Sequence, residues 1–496
     1  MPLIKLALPP GMLRTGTIYQ AQGRWYQGNA VRWRNDGGTY ALEPIGGWVV
    51  RTTSAMTGAA RAALAWVDND NTRWQLYGTN SHLYALTQSG VAPADITPSG
   101  FTSGTVDATA GGGYGAGPYG ASAYGTPRAD SGTYQEVGMW TLDTFGEIPY
   151  GMMAADANLY KWDLNTGNVA TAVSGAPQGS AVCVTPERFI FVLGAGGDNR
   201  KVQWPDQETD SDWTPTSTNQ AGDFNIETSG KLMCGKRIRG GTLIWTDADV
   251  HLASYIGLPF VYRFDRVGEN CGIISRGAAV VTGNMAFWMG NGRFYQFDGV
   301  SHEINCDVAE GVFNDFNSAQ KSKVVAYHEP KFSEVWWFYP SGASTEIDRA
   351  VVYNYEGGFW FIHDDISRLS AISRGVFDNP LMVDADGYVW NHETGYEYDG
   401  ATPYAESGPY ELGEGDQIMR ARKLIADEKT SGDVEVSFIT RDWPNDSETT
   451  FGPYTIDNPT DVRFAGRQAR IRIDAVAAAA WRWGIPRVDV IAGSKR

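Results

Sequence analysis

Cysteine is scarce in this chain. Cys183, Cys234, Cys271 and Cys306 stand 35 to 51 positions apart and form no CxxC pair. That spacing argues against the disulfide framework of a small secreted domain, and buried free thiols in a reducing cytoplasm are expected instead. Histidine is equally sparse: His82, His251, His302, His328, His363 and His392 are scattered singly, with no HExxH or other zinc-ligand spacing. No stretch approaches the ~18 apolar residues that span a bilayer. The opening Met1-Pro-Leu-Ile-Lys-Leu-Ala-Leu-Pro-Pro10 ends its short apolar run in two prolines, unlike a secretory signal. A soluble, cytoplasmically made protein with no membrane span is the expectation. Positive charge is in deficit, with 40 Lys and Arg against 57 Asp and Glu and a net charge of −17. Such a balance argues against a body that grips nucleic acid by neutralising phosphates. It leaves open an acidic wall past which a polyanion slides without sticking.

Chemical motifs are missing as well. No GxSxG elbow offers a strained serine nucleophile. Gly115-Ala-Gly-Pro-Tyr-Gly120 matches GxGxxG in letters only. It lies in a glycine-rich loop without the preceding strand and following helix that a pyrophosphate site needs. Acidic turns at Asp68-Asn-Asp-Asn71, Asp247-Ala-Asp249 and Asp384-Ala-Asp-Gly387 place carboxylates two apart, but none completes a calcium loop with a terminal bidentate Glu. His363-Asp364-Asp365 reads as a turn rather than a metal site. Asp206, Glu208, Asp210 and Asp212 are carboxylates without a glycosidase pattern around them. The reading is of a non-enzyme, with no catalytic residues, cofactor or metal.

What is abundant is the material of β-sheets: 18 Trp, 24 Tyr and 20 Phe, with 59 Gly and 23 Pro to turn the chain. Phe332-Ser-Glu-Val-Trp-Trp-Phe-Tyr-Pro340 and Arg349-Ala-Val-Val-Tyr-Asn-Tyr-Glu-Gly-Gly-Phe-Trp-Phe361 are aromatic, β-branched strands cut off by Pro or Gly-Gly. Further copies begin at Trp74, Met152, Arg188, Leu243, Ala286 and Leu381, the one at Ala286 being the clearest. Marked at Tyr160, Trp204, Leu252, Tyr295, Tyr353 and Val389, the steps are 44, 48, 43, 58 and 36 residues. Four-stranded propeller blades fall near ~40 to 50 residues, and radial stacking gives each blade face a neighbour. The expectation is an all-β fold: a β-propeller of six or seven irregular blades, an N-terminal strap and a small C-terminal β-sandwich-like domain. A two-sheet sandwich array is the structural alternative. The boundaries read as 1–60 for the strap, 61–405 for the propeller and 406–496 for the sandwich.

Three local features stand apart. A short surface helix is expected after Asp307, with Asp307 as its cap and Glu310 three residues on. Residues 102–134 are a Gly/Tyr-rich loop in which Tyr114, Tyr119 and Tyr124 are candidate contact residues. The C-terminal part is locally rich in arginine. A solvated strand face is the plain explanation for Arg463, Arg467, Arg470, Arg472, Arg482 and Arg487; an adaptor or subunit contact is the alternative.

Gly23-Arg-Trp-Tyr-Gln-Gly-Asn-Ala-Val-Arg-Trp-Arg34 followed by Glu43-Pro-Ile-Gly-Gly-Trp48 resembles the opening of tail nozzle and head-completion proteins, the packaged-DNA stabilisation proteins of short-tailed bacteriophages. Further along, Trp140-Thr-Leu-Asp-Thr-Phe-Gly-Glu147, Leu159-Tyr-Lys-Trp-Asp163, Gln203-Trp-Pro-Asp206 with Asp212-Trp-Thr-Pro215, Glu334-Val-Trp-Trp-Phe-Tyr-Pro340 and the ending through Trp481-Arg-Trp-Gly484 are similar too. Each string is loose, and the likeness lies in their order. It implies a virion structural protein: a propeller subunit of a hexameric ring below the portal and adaptor. Such a ring extends the DNA channel, helps retain the packaged genome and carries tail fibres, a spike or a needle. Double-stranded DNA would pass without sequence-specific binding. Aromatics on outward or intersubunit faces and carboxylates along the lumen are the corresponding expectation. The alternatives are a carbohydrate-binding or glycan-degrading propeller and a kelch-like cellular scaffold, against which the uneven steps count.

Overall fold

The computed structural model describes residues 3–109, 134–412 and 417–493. Seven four-stranded antiparallel sheets follow one another, over residues 60–95, 140–172, 181–225, 232–268, 279–304, 325–363 and 370–391. Val49–Val50 completes the last of them. Their first strands neighbour one another in sequence order and the seventh returns to the first, so the protein is a β-propeller of seven blades.

Each copy seen in the sequence contains the second strand of a blade and the turn to the third. Second strands are flanked by neighbouring blades on both faces, so they read as continuous apolar runs rather than alternations. Gly241–Thr246 and Glu334–Tyr339 are buried at every position. The large aromatics, expected on outward or intersubunit faces, are therefore mostly inside: Trp140, Trp245, Trp288, Trp337 and Trp360 are among the largest fully buried side chains. Their indole N–H groups still need acceptors. Trp140 donates to the Thr79 carbonyl (2.9 Å), Trp337 to Ala278 (3.0 Å) and Trp360 to Asn305 (2.8 Å). Each bond reaches back toward the preceding blade, so packing and hydrogen bonding fix the same neighbours.

The N-terminal stretch has one hairpin of its own, Val31–Asp36 with Thr39–Pro44, and lends its other strands to the two larger parts. Val49–Val50 pairs with Val389–Asn391 and closes the propeller. Leu3–Lys5 pairs with Arg487–Ala492, and Trp25–Asn29 with Tyr404–Ser407. The sandwich thus takes a strand from each chain end into both of its sheets. One sheet runs Leu3–Lys5, Arg487–Ala492, Met419–Ile425, Thr460–Gly466. The other runs Trp25–Asn29, Tyr404–Ser407, Gln468–Ala475, Val434–Arg441, Thr449–Thr455. Val436, Phe438, Val462, Phe464, Ile471 and Val490 fill the space between them, with Phe438 stacked on Phe464 at 4.2 Å.

The sandwich leans on the outer strand of blade 6, Phe359–His363. There the Met12 amide donates to the Trp360 carbonyl (2.7 Å), and the Ala30 amide to Nδ1 of His363 (3.0 Å). The helix is Ala309–Phe313, preceded by Val308, and Asp307 is not its cap. The Asp307 carboxylate instead takes Arg24 at 3.2 Å, and Glu310 accepts from the Gly16 amide. A tertiary ion pair competed for the cap and won.

Candidate functional site

The first strands of the blades surround a central channel of about 540 Å³. Its walls carry small side chains, including Ala62, Val182, Gly235, Ala279, Ala326 and Ala371. Where the first strands end, the distal mouth holds Lys236, Arg237, Arg374 and His328. Arg237 is bound to Asp143, and Arg374 to Glu329 at 3.0 Å. Burial holds the His328 imidazole below its ordinary pKa. Among the described residues lining the channel, Asp143 is the one carboxylate, and the Val184 amide also donates to it. A convergent acid pair for glycoside chemistry is not built there.

Where the first strands begin, the proximal mouth is crossed by the two legs of the insertion between blades 1 and 2. Thr109 and Gln135 form a β-bridge that clamps the legs together. Gln320, before blade 6, makes two hydrogen bonds to the Ala108 backbone (2.9 and 3.0 Å). Glu136 binds Lys231 of blade 4 (2.5 Å) and Arg276 at the start of blade 5 (3.2 Å). Burial alone would raise the Glu136 pKa, but these two cations outweigh it and hold the carboxyl below its usual value. Buried Arg61 of blade 1 donates to the Val106 carbonyl and pairs with Glu346 of blade 6 (2.7 Å). Fully buried Lys323 bridges Glu346 (3.2 Å) and Asp107 (2.6 Å). The legs are thereby tied to four blades around the axis. Tyr114, Tyr119 and Tyr124, between the legs, lie outside the described residues.

The six arginines singled out in the sequence divide into two groups. Arg467 stacks on Trp443 at 4.4 Å. Arg470 is buried between Glu406 and Glu448. Arg472 holds Asp474 at 2.8 Å and lies over Tyr404, and Arg482 reaches Glu43 at 3.5 Å. These four are engaged within the molecule. Arg463 and Arg487 are exposed, on the outer face of the sheet that begins with Leu3–Lys5. Sequence reading missed their companions there: Arg420, Arg422, Lys423 and Lys5. The signal was the alternation of Met419-Arg-Ala-Arg-Lys-Leu-Ile425. A bulge between Ala421 and Lys423 leaves both Arg422 and Lys423 exposed. Asp461 and Asp489 are the carboxylates on this face. None of its six cations makes an ion pair among the described residues. A groove of about 770 Å³ runs beside Arg420, Arg422, Lys423 and Arg463.

Two of the acidic turns share one hydrogen-bond scheme. Asp68 accepts from the Thr72 amide (2.7 Å) and the Trp74 indole (2.8 Å). Asp384 accepts from the Tyr388 amide (2.8 Å) and the Trp390 indole (2.6 Å). Carboxylate, amide four residues on and indole six residues on close a hairpin turn in both blades.

No protein-family model matches the chain, and no curated protein sequence matches it significantly. Solved structures similar to it include virginiamycin B lyase from Staphylococcus aureus, at 7% identity over 70% of this chain and 97% of that one, with a TM-score of 0.40. YCF48 bound to D1 peptide matches at 9% identity over 70% and 97%, TM-score 0.39. The Pan2 WD40 domain of Neurospora crassa matches at 8% over 71% and 97%, TM-score 0.38. Similarity this low carries no argument about function, and the propeller fold by itself does not decide whether a protein is an enzyme.

Proposed function

We propose that this chain is a structural, non-catalytic subunit of a short-tailed bacteriophage tail nozzle. In this reading six copies form a ring that extends the DNA channel below the portal and adaptor and helps retain packaged DNA. Fibres, a spike or a needle attach to it, and the protein resides in the virion tail after synthesis in the host cytoplasm. The observation that carries the reading is the mechanical continuity of the fold. One N-terminal stretch supplies the closing strand of the propeller and a strand to each sandwich sheet, so load on either part is borne by both. The order of the nozzle-like strings in the sequence supports the same reading.

The deciding experiment is native mass measurement with negative-stain imaging of the purified protein, alone and with portal–adaptor complexes. Sixfold rings of this chain, coaxial with the adaptor, are expected. A protein that stays monomeric in both preparations sinks the proposal. Release of reducing sugar from bacterial surface glycan would instead favour the carbohydrate-active alternative.

A further inference from the structure

Charge is distributed unevenly along this chain. Residues 49–403 contain 40 Asp and Glu against 22 Lys and Arg, a net −18; the remaining ends contain 17 against 18, a net +1. The fold sharpens that asymmetry. On the outer sandwich face, Arg420, Arg422, Lys423, Arg463 and Arg487 stand exposed without ion pairs among the described residues, beside a groove of about 770 Å³. A face on which exposed cations outnumber the two carboxylates Asp461 and Asp489, on an otherwise acidic body, suits an acidic partner.

The propeller supplies a matching surface. The loop between the third and fourth strands of blade 3, residues 205–221, folds back onto blade 2. There Asp210 takes Lys161 (2.5 Å) and the Tyr150 hydroxyl (2.7 Å). Asp163, just past the third strand of blade 2, and Glu208 and Asp212, in the loop that follows the third strand of blade 3, are all exposed and stand at the same end, or rim, of two adjacent blades. Arg188, 3.4 Å from Glu208, offsets one of them. The rim also has a definite position. The sandwich leans on blade 6, and in a ring of seven, blades 2 and 3 are each three steps from blade 6 in opposite directions. The acidic rim and the sandwich therefore lie on opposite flanks of the propeller.

We infer that the basic sandwich face docks on the acidic rim of blades 2 and 3 of a second copy of this chain. The contact is head-to-tail, using different patches on the two partners. Such heterologous contacts propagate, and close into a ring when the rotation permits. The inference deepens the ring reading above and rests on it, naming which surfaces meet. Of the two partners expected for the arginine-rich end, it selects the subunit over the adaptor.

The test uses three full-length variants and sedimentation velocity over a range of concentrations, with thermal melts to establish folding. One carries R420E, R422E and R463E; one carries D163K, E208K and D212K; the third carries all six. Wild type is expected to self-associate, at least about tenfold more tightly near ~50 mM than near ~500 mM salt. Each three-site variant alone is expected to be monomeric. Their mixture should recover association in alternating order, because the intact face of one meets the intact rim of the other and the two reversed patches also match, and the six-site variant should recover it for the second reason alone. Self-association that survives in both three-site variants overturns the contact while leaving a ring intact. Loss of adaptor binding in the arginine variant, with no effect of the rim variant on assembly, assigns the face to the adaptor and also overturns it. Wild type that is monomeric at every concentration, with or without adaptor, overturns the contact and the ring reading together.

Discussion

Ala30 and His363, 333 positions apart, are joined by a 3.0 Å hydrogen bond from the Ala30 amide to Nδ1 of the imidazole. The bond requires an unprotonated Nδ1. The ring stacks on Trp336 at 4.6 Å with no solvent exposure. A second histidine at the same junction, His392, accepts from Nε of Arg368 at 2.9 Å and stacks on Trp48. Both histidines hold the strap against the propeller in their neutral form.

Acid should therefore weaken the protein well above the carboxylate range. Burial, aided by Arg32, lowers the His363 pKa from 6.5 to about 3; burial and Arg368 push His392 well below 6.5. Depressed folded-state values mean that the unfolded chain binds protons the folded one refuses. The stabilisation is present above pH ~6.5 and is lost as pH falls from there; for His363 the loss continues toward ~3 and amounts to ~2 kcal/mol at pH 5, and His392 acts in the same direction. Urea unfolding at pH 7.5 and pH 5 measures it. H363Q should flatten the dependence, and an unchanged slope in that variant would exclude His363 as a source.

Arg32 is the ionic centre of the same junction. Its Nε and Nη2 meet the Glu334 carboxylate at 3.2 and 3.0 Å, and Nη2 reaches Glu393 at 2.8 Å. Arg32→Ala leaves Glu334, only 1% exposed, as a buried charge without its partner. A loss of ~3–5 kcal/mol is expected by chemical denaturation. The double variant R32M/E334Q should recover part of it, because the more deeply buried carboxylate is then gone, while Glu393 keeps the Gly46 amide as a donor at 3.0 Å.

Trp337→Phe probes the blade interfaces. The change removes the donor to the Ala278 carbonyl and part of a fully buried indole. Together these cost ~2–4 kcal/mol. Assembly, measured at a temperature where the variant is folded, should be unchanged, since the residue is interior.

The legs over the proximal mouth should loosen without unfolding the blades. Glu346→Gln weakens the anchor shared by Arg61 and Lys323. Amide exchange at Ala108 and Val137, whose N–H groups bond Gln320 and Ser322, should accelerate at least ~10-fold. Exchange in Gly241–Thr246 should not change. Equal acceleration in both regions would mean that the legs and blades open as one unit.

The propeller was legible in the sequence because its second strands are buried on both sides. A strand such as Glu334–Tyr339 must be apolar or aromatic along its length, so it announces itself locally. First strands line the channel with small side chains, as in Ala60-Arg-Ala-Ala-Leu-Ala-Trp-Val67, and carry no such mark. Two-residue outer strands such as Thr171–Ala172 are too short for any pattern. Among the arginines, spacing placed Arg470 and Arg472 on one face but could not reveal Glu406 behind both. The exposed set with Arg420 and Arg422 was missed because it is assembled from strands some 40 residues apart.

Composition and periodicity alone therefore established an all-β body of repeated sheets with an acidic middle and a more basic end, since strand, turn and net charge are local or additive properties. Blade number, the closing role of Val49–Val50, the merging of both chain ends into one sandwich and the division of its arginines between ion pairs and solvent arose only on folding. β-pairing and ion pairing join residues hundreds of positions apart, and their energy depends on burial and distance, which no local window of sequence contains.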